Sequence, residues 1–158
     1  MPGTFMCRKC VKNIVTAEIN RGNMKPIYET NILINFRDAD PQGILYFART
    51  YDLAHNCLEA FWAQTSLGWN FWFKNPEFAV PLRHSNCDYL HAMPAGETFN
   101  AQLAVAKIGE SSVEFICKFT KKNGSICAQV STTHVFVDRK TFTKISVPDI
   151  VRSFLQTL

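Results

Sequence analysis

The sequence predicts an α+β domain in which one long helix is wrapped by a curved antiparallel sheet. Three observations carry that expectation. Residues 45–64, LYFARTYDLAHNCLEAFWAQ, place Phe47, Tyr51, Ala54, Leu58, Phe61 and Trp62 mainly at three- and four-residue steps, a broad apolar helix face. The second half of the chain holds four strand-like runs. The last two of these are joined by Asn123-Gly124, a dipeptide suited to a tight hairpin turn.

In chain order, residues 1–23 show no clear periodicity and are expected to form an N-terminal extension. Either Met24 is the working start or residues 1–23 form a loosely attached tail, so that 24–158 is the domain. Cys7 and Cys10 form a lone CxxC, with no second pair to complete a four-ligand zinc site. The run Ile27–Phe36 alternates as a strand. RDADPQG then interrupts it, since Pro41 disfavours helical geometry at Asp40 and Gly43 permits conformations other residues resist. The apolar helix follows, then TSLGWNFWFKNPEF, a Gly-punctuated connection or short helix. FAVPLRHSNCDYL, ETFNAQLAVAKIG, SSVEFICKFTKK and SICAQVSTTHVFVD read as the strands, the first two separated by the HAMPAGE turn. SVPDIVRSFLQTL reads as a short helix starting near Pro148. An antiparallel sheet of this kind has edges, and a second copy would cover them, so a homodimer is expected.

Composition excludes several functions. The 158 residues suit one domain, and 47% hydrophobic with 19% charged is a globular balance. The net charge of +4 is concentrated in residues 1–23, where four basic residues oppose Glu18; the remainder carries only +1. So nearly neutral a domain lacks the electrostatic footprint of a nucleic-acid binder. No apolar run is long enough to span a bilayer, so no membrane insertion is expected. With no secretion-signal pattern, the six cysteines read as reduced thiols of a cytoplasmic protein.

The chemistry concentrates in "DADPQG", Asp38 to Gly43. Calcium is excluded, because the twelfth position of an EF-hand counted from Asp38 is Arg49, where a bidentate Glu is required. A capped turn is the simple reading, an Asp at a helix entrance accepting backbone N–H bonds. The chemical reading uses the same features. Free N–H groups at a helix start can hold a carbonyl oxygen as it becomes negative. A carboxylate beside them, Asp40, could attack the carbonyl carbon or deprotonate a water, and Gly43 would allow close approach of the substrate. A thioester needs little more.

The stretch FRDADPQGILYFARTYDLAHNCLEAF resembles the signature of the 4-hydroxybenzoyl-CoA thioesterase family: D-x-D-x-x-G, two apolar residues and two aromatics. The resemblance spans about Ile27 to Val137. It implies the hotdog fold, dimers or tetramers, and hydrolysis of an acyl-CoA substrate to free acid and CoA without metal or cofactor. It puts the catalytic carboxylate on Asp40 and the carbonyl-polarising amide on Phe47, where branches of the family carry His or Tyr. Gly43, Tyr46, Tyr51 and Lys107 become the substrate-binding candidates, Lys107 toward the coenzyme's phosphates alongside Lys118, Lys121, Lys122 and Arg139.

Other residues have plainer readings. His55 and Glu59 share a helix face, with Glu59 the reserve carboxylate and a solvent-facing pair the simpler account; Asp52 is treated alike. His84, His91 and His134 stand in separate segments without metal-ligand spacing. Phe61, Trp62, Trp69, Phe71, Trp72 and Phe73 read as core, a subset lining an acyl pocket for a bulky or aromatic group. The competing function is a non-catalytic hotdog module that binds acyl groups or an acyl carrier protein. A dehydratase fits less well, because Leu45 stands where hydratases of this fold carry His.

Overall fold

The computed structural model describes residues 24–158; the 1–23 extension and its Cys7–Cys10 pair lie outside them. Strand β1 (Tyr28–Leu33) leads through a short turn at Phe36–Asp38 and a loop into helix α1 (Arg49–Gln64). Helix α2 (Gly68–Phe73) follows, then β2 (Phe78–Ala79), β3 (Leu82–Tyr89), β4 (Thr98–Ile108), β5 (Ser112–Thr120), β6 (Ile126–Val135) and β7 (Val137–Asp138). Helix α3 (Asp149–Gln156) closes the chain. The main sheet is antiparallel in the order β1-β4-β5-β6-β3, leaving β1 and β3 as its edges; β2 and β7 pair separately. This is the wrapped-helix hotdog architecture that the sequence predicts.

The register slips once within each of the β3–β6, β4–β5 and β5–β6 pairs, at Leu82/His84, Val105/Lys107 and Phe119/Thr120. Such bulges bend a strand and let a sheet curl around its cover. Asn123-Gly124 forms the expected β5–β6 turn, with Gly124 at φ +82° and Asn123 Oδ1 accepting from Ser125 N–H.

Helix α1 packs against β1, β4, β6 and α2. It buries Thr50, Ala54, Cys57, Leu58, Phe61 and Trp62, a stripe at helical spacing. Trp62 stacks on Trp72 of α2 with centroids 4.3 Å apart, and Trp72 meets the edges of Phe115 and Phe136. Each such fully buried large side chain contributes roughly 1.5–3 kcal/mol.

Four expectations need correction. The helix starts at Arg49, not Leu45, because bridges to Pro94 and Ala39 hold Ile44 and Leu45 in extended backbone. Phe47 therefore leaves the apolar stripe and is 58% exposed. The helix is less covered than its aromatic content suggests, since Asp52, His55 and Asn56 face outward. The predicted strand through FAVPLRHSNCDYL breaks into β2 and β3 around Val80-Pro81, where proline removes a ladder donor.

Candidate active site

DPQG has the residue preferences of a tight turn: Asp first, Pro second, Gly fourth. It folds as one. Gly43 N–H donates to the Asp40 carbonyl at 2.9 Å, and Asp40 N–H donates to the Ile44 carbonyl at 2.8 Å. Gly43 holds φ +76°, which explains the glycine. A side chain there would meet nothing within 4 Å, so close approach of another group is not its reason. The HAMPAGE turn clamps this small hairpin: Leu45 N–H reaches the Met93 carbonyl at 2.8 Å, and Ala95 N–H reaches the Gly43 carbonyl at 2.9 Å.

The turn fixes the Asp40 carboxylate. Oδ1 accepts from the Gln42 backbone N–H at 2.8 Å. With its amide nitrogen turned toward Asp40, the Gln42 side chain donates to Oδ1 at 3.0 Å and Oδ2 at 3.1 Å, the orientation that satisfies both groups. Asp40 is half-buried. Neither Asp38 nor Asp40 caps α1, whose N-cap is Ala48 without a side-chain bond. Asp38 instead accepts from Asn35 Nδ2 at 3.3 Å, and its carbonyl accepts from Tyr46 N–H at 2.8 Å.

Two amides at the start of α1 stay unpaired. The Tyr46 and Phe47 carbonyls accept from Arg49 and Thr50 N–H. These peptide bonds are trans, as are all those among the described residues, so the N–H groups of Phe47 and Ala48 point the opposite way, out of the helix start. Neither has a hydrogen-bond partner among the described residues. The Tyr89 hydroxyl donates to the Phe47 carbonyl at 2.7 Å and holds that peptide plane. About half of Tyr89's surface is exposed. Even so, partial desolvation, together with the neighbouring Cys87, raises its pKa and keeps it a donor.

Asp40, Tyr46, Phe47, Ala48 and Tyr89 line one open cleft of about 900 Å³. Its cations are Arg37 and Arg49, and Arg49 is paired with Asp52 at 2.8 Å. The fold thus brings Asp40, Tyr46 and Phe47 together. Tyr51 lies elsewhere, in a second chamber of about 640 Å³ on the far side of Arg49 and Asp52, with Phe73, Val80 and His134. Lys107 is exposed on β4 opposite Glu114 and does not line either cleft. His55 and Glu59 form an exposed pair at 3.1 Å, the plainer of their two readings. Among the described residues no cluster of His, Cys, Asp or Glu could hold a metal ion, and no helix is long and apolar enough to cross a membrane.

Sequence reasoning missed Gln42 and Tyr89. Gln42 was legible in principle as an amide two residues after a carboxylate, the reach of an Asx turn. Tyr89 was not, because its meeting with Phe47 depends on how β3 is placed.

Residues 34–155 match the model of the thioesterase-like superfamily. Relatives from Nostoc punctiforme and Trichodesmium erythraeum, each named 1,4-dihydroxy-2-naphthoyl-CoA hydrolase, are 29% and 27% identical. The alignments cover 80% and 78% of this chain and 85% and 91% of theirs. Among solved structures, a 1,4-dihydroxy-2-naphthoyl-CoA thioesterase from Synechocystis superposes with TM-score 0.73 at 18% identity, covering 83% of this chain and 96% of its own. A Staphylococcus aureus protein solved in complex with CoA gives 0.74 at 11%, covering 85% and 84%. The relatives carry the reaction class read from the sequence, thioester hydrolysis, but not the specific 4-hydroxybenzoyl name. By fold and by family match, the chain belongs to the thioesterase-like superfamily of hotdog proteins.

Proposed function

We propose that the protein hydrolyses an acyl-CoA thioester whose acyl group is a hydroxylated aromatic, of the 1,4-dihydroxy-2-naphthoyl or 4-hydroxybenzoyl kind. The observation that carries the hydrolysis is one cleft holding a positioned carboxylate, Asp40, and a helix start with unpaired amides at Phe47 and Ala48, while the names of the relatives support the acyl class. The thioester oxygen accepts from those amides, which stabilise it as charge develops. Asp40 either adds to the carbonyl carbon, giving an anhydride that water later opens, or takes a proton from the attacking water. In both routes the tetrahedral intermediate collapses, the C–S bond breaks, and CoA leaves as thiolate; water supplies the acid's new oxygen. No cofactor enters.

Gly43 shapes the turn, Tyr46 forms part of the cleft wall, and Tyr51 meets the acyl group in the second chamber. Arg37, exposed at the cleft, is better placed for a coenzyme phosphate than Lys107 of the same chain. Lys107 would serve only across a boundary between copies. Such a boundary would fall on β3, an edge strand whose ends, Leu82 and Tyr89, line the two clefts. Free cysteines at 57, 87, 117 and 127 suit a reducing cytoplasm.

A second reading has its own support. The bond from Gln42 N–H to Asp40 is also what a structural turn needs, so a non-catalytic module binding acyl groups or an acyl carrier protein would use the same loop. Thiol release across aromatic, short and long acyl-CoAs separates the two. Asp40→Asn is expected to lower turnover at least ~100-fold while the protein stays folded. Undiminished thiol release in that variant would sink the assignment.

A further inference from the structure

We propose that His134 selects the acyl group by accepting a hydrogen bond from a hydroxyl on an aromatic ring seated in the second chamber. The inference rests on the thioesterase reading for the direction from which the acyl group arrives.

The chamber adjoins the first cleft across the Arg49–Asp52 pair. Arg49 and Asp52 line both, so a thioester held at the start of α1 can extend its acyl part along the first turns of that helix. Its volume of about 640 Å³ is that of a small-molecule site. Tyr51 and Phe73 supply aromatic walls. Thr132 and His134, two apart on β6, share the face that Ala128 and Val130 turn toward the core.

His134 is the anomaly. It is 4% exposed, yet neither ring nitrogen has a hydrogen-bond partner among the described residues. The Val80 main chain lies near enough to influence it but outside hydrogen-bond geometry. Trp72 and Phe115 meet the imidazole edge-on, with centroids 6.2 Å and 5.9 Å away, and fix its plane. A purely packing position between two aromatic rings would be filled at lower cost by phenylalanine. A histidine left without partners in such a place calls for a ligand that supplies them.

The chemistry of the missing partner follows. A neutral imidazole offers one N–H and one lone pair. The Val80 main chain is the group nearest to serving the N–H, so the lone pair is the part of the ring for which the described residues offer nothing. Only a donor satisfies it. An unsubstituted aliphatic or aromatic acyl group would leave it orphaned, and a carboxylate or phosphate has no proton to give. A phenolic hydroxyl fits both the lone pair and the aromatic walls. Sites built this way reject analogues lacking the hydroxyl.

The test measures binding of two free acids, 1,4-dihydroxy-2-naphthoate and 2-naphthoate, by titration calorimetry under reducing conditions. Wild-type protein is expected to favour the hydroxylated acid by about tenfold or more. His134→Phe should abolish that preference, and His134→Gln, which keeps an acceptor, should retain part of it. A merely structural histidine would weaken both acids alike. Nitrogen NMR of histidine-labelled wild-type protein requires no variant: the hydroxylated acid should shift the lone-pair nitrogen of His134 and 2-naphthoate should not. Equal affinity for the two acids, a preference that survives His134→Phe, or an unmoved His134 resonance overturns the proposal. Thiol release from the matching CoA esters keeps the two readings apart. Acid preference without thiol release upholds His134 and removes the hydrolase; thiol release without preference does the reverse.

Discussion

His134 also titrates in an unusual range, and that has a consequence for stability. Burial lowers its pKa from 6.5 to about 4, opposed by the Val80 main chain and helped by His55. Between those values the unfolded chain binds a proton that the native chain refuses. Stability from this residue is therefore intact above pH 6.5 and is lost as pH falls toward 4, by up to about 3 kcal/mol. Denaturant unfolding at pH 7 and pH 4.5 checks it: the acid-induced loss should shrink in His134→Phe, and an identical loss in both proteins contradicts the shift. Tyr89 makes a second prediction at this scale. Tyr89→Phe removes the hydroxyl that holds the Phe47 peptide, at a stability cost of only about 1 kcal/mol. Its effect on kcat/KM should be larger than on folding, about tenfold, because a loosened amide no longer meets the oxygen at a fixed point. Kinetics matching wild type would show that Phe47 needs no such anchor.

The turn and the hairpin show what local chemistry dictates at the level of elements. Asp40-Pro41-Gln42-Gly43 and Asn123-Gly124 fold as their residues prefer, since each answers to bonds spanning only a few positions. The start of α1 was illegible for the opposite reason. Residues 45–48 have a helical pattern, but bridges to Pro94 and Ala39 hold Ile44 and Leu45 extended, so the helix begins later. The unpaired amides of Phe47 and Ala48 then belong to residues that line the cleft. The α1–α2 contact is the element-level weak point. Trp72→Ala would remove the ring that stacks on Trp62 and touches Phe115 and Phe136, costing about 3–5 kcal/mol. Thermal denaturation checks this; an unchanged midpoint would mean the aromatic cluster does not hold the two helices together.

At the scale of the whole molecule, the sheet ends in two edges and both clefts open beside β3. Light scattering should give a mass at least twice the 18.0 kDa of one chain. A monomer with full activity would refute the idea that a second copy completes the site. A chain beginning at Met24 should fold and keep the same activity, because residues 34–155 carry the family match. Loss of folding on that deletion would make residues 1–23 part of the domain.

By itself the sequence determined the helix-and-sheet plan, the carboxylate turn, the hairpin and the reaction class. The plan, the turn and the hairpin depend on periodicity and on residues a few positions apart, and the reaction class on the resemblance of the signature that begins at Asp38 to a known family. Only the tertiary structure decided that Tyr51 leaves the first cleft for the second, that Gln42 and Tyr89 hold the Asp40 carboxylate and the Phe47 peptide, and that Lys107 stands apart. It also placed a partnerless imidazole against Trp72 and Phe115. Such meetings follow from strand register and from the packing of a helix on a sheet, and neither is written in any short stretch of chain.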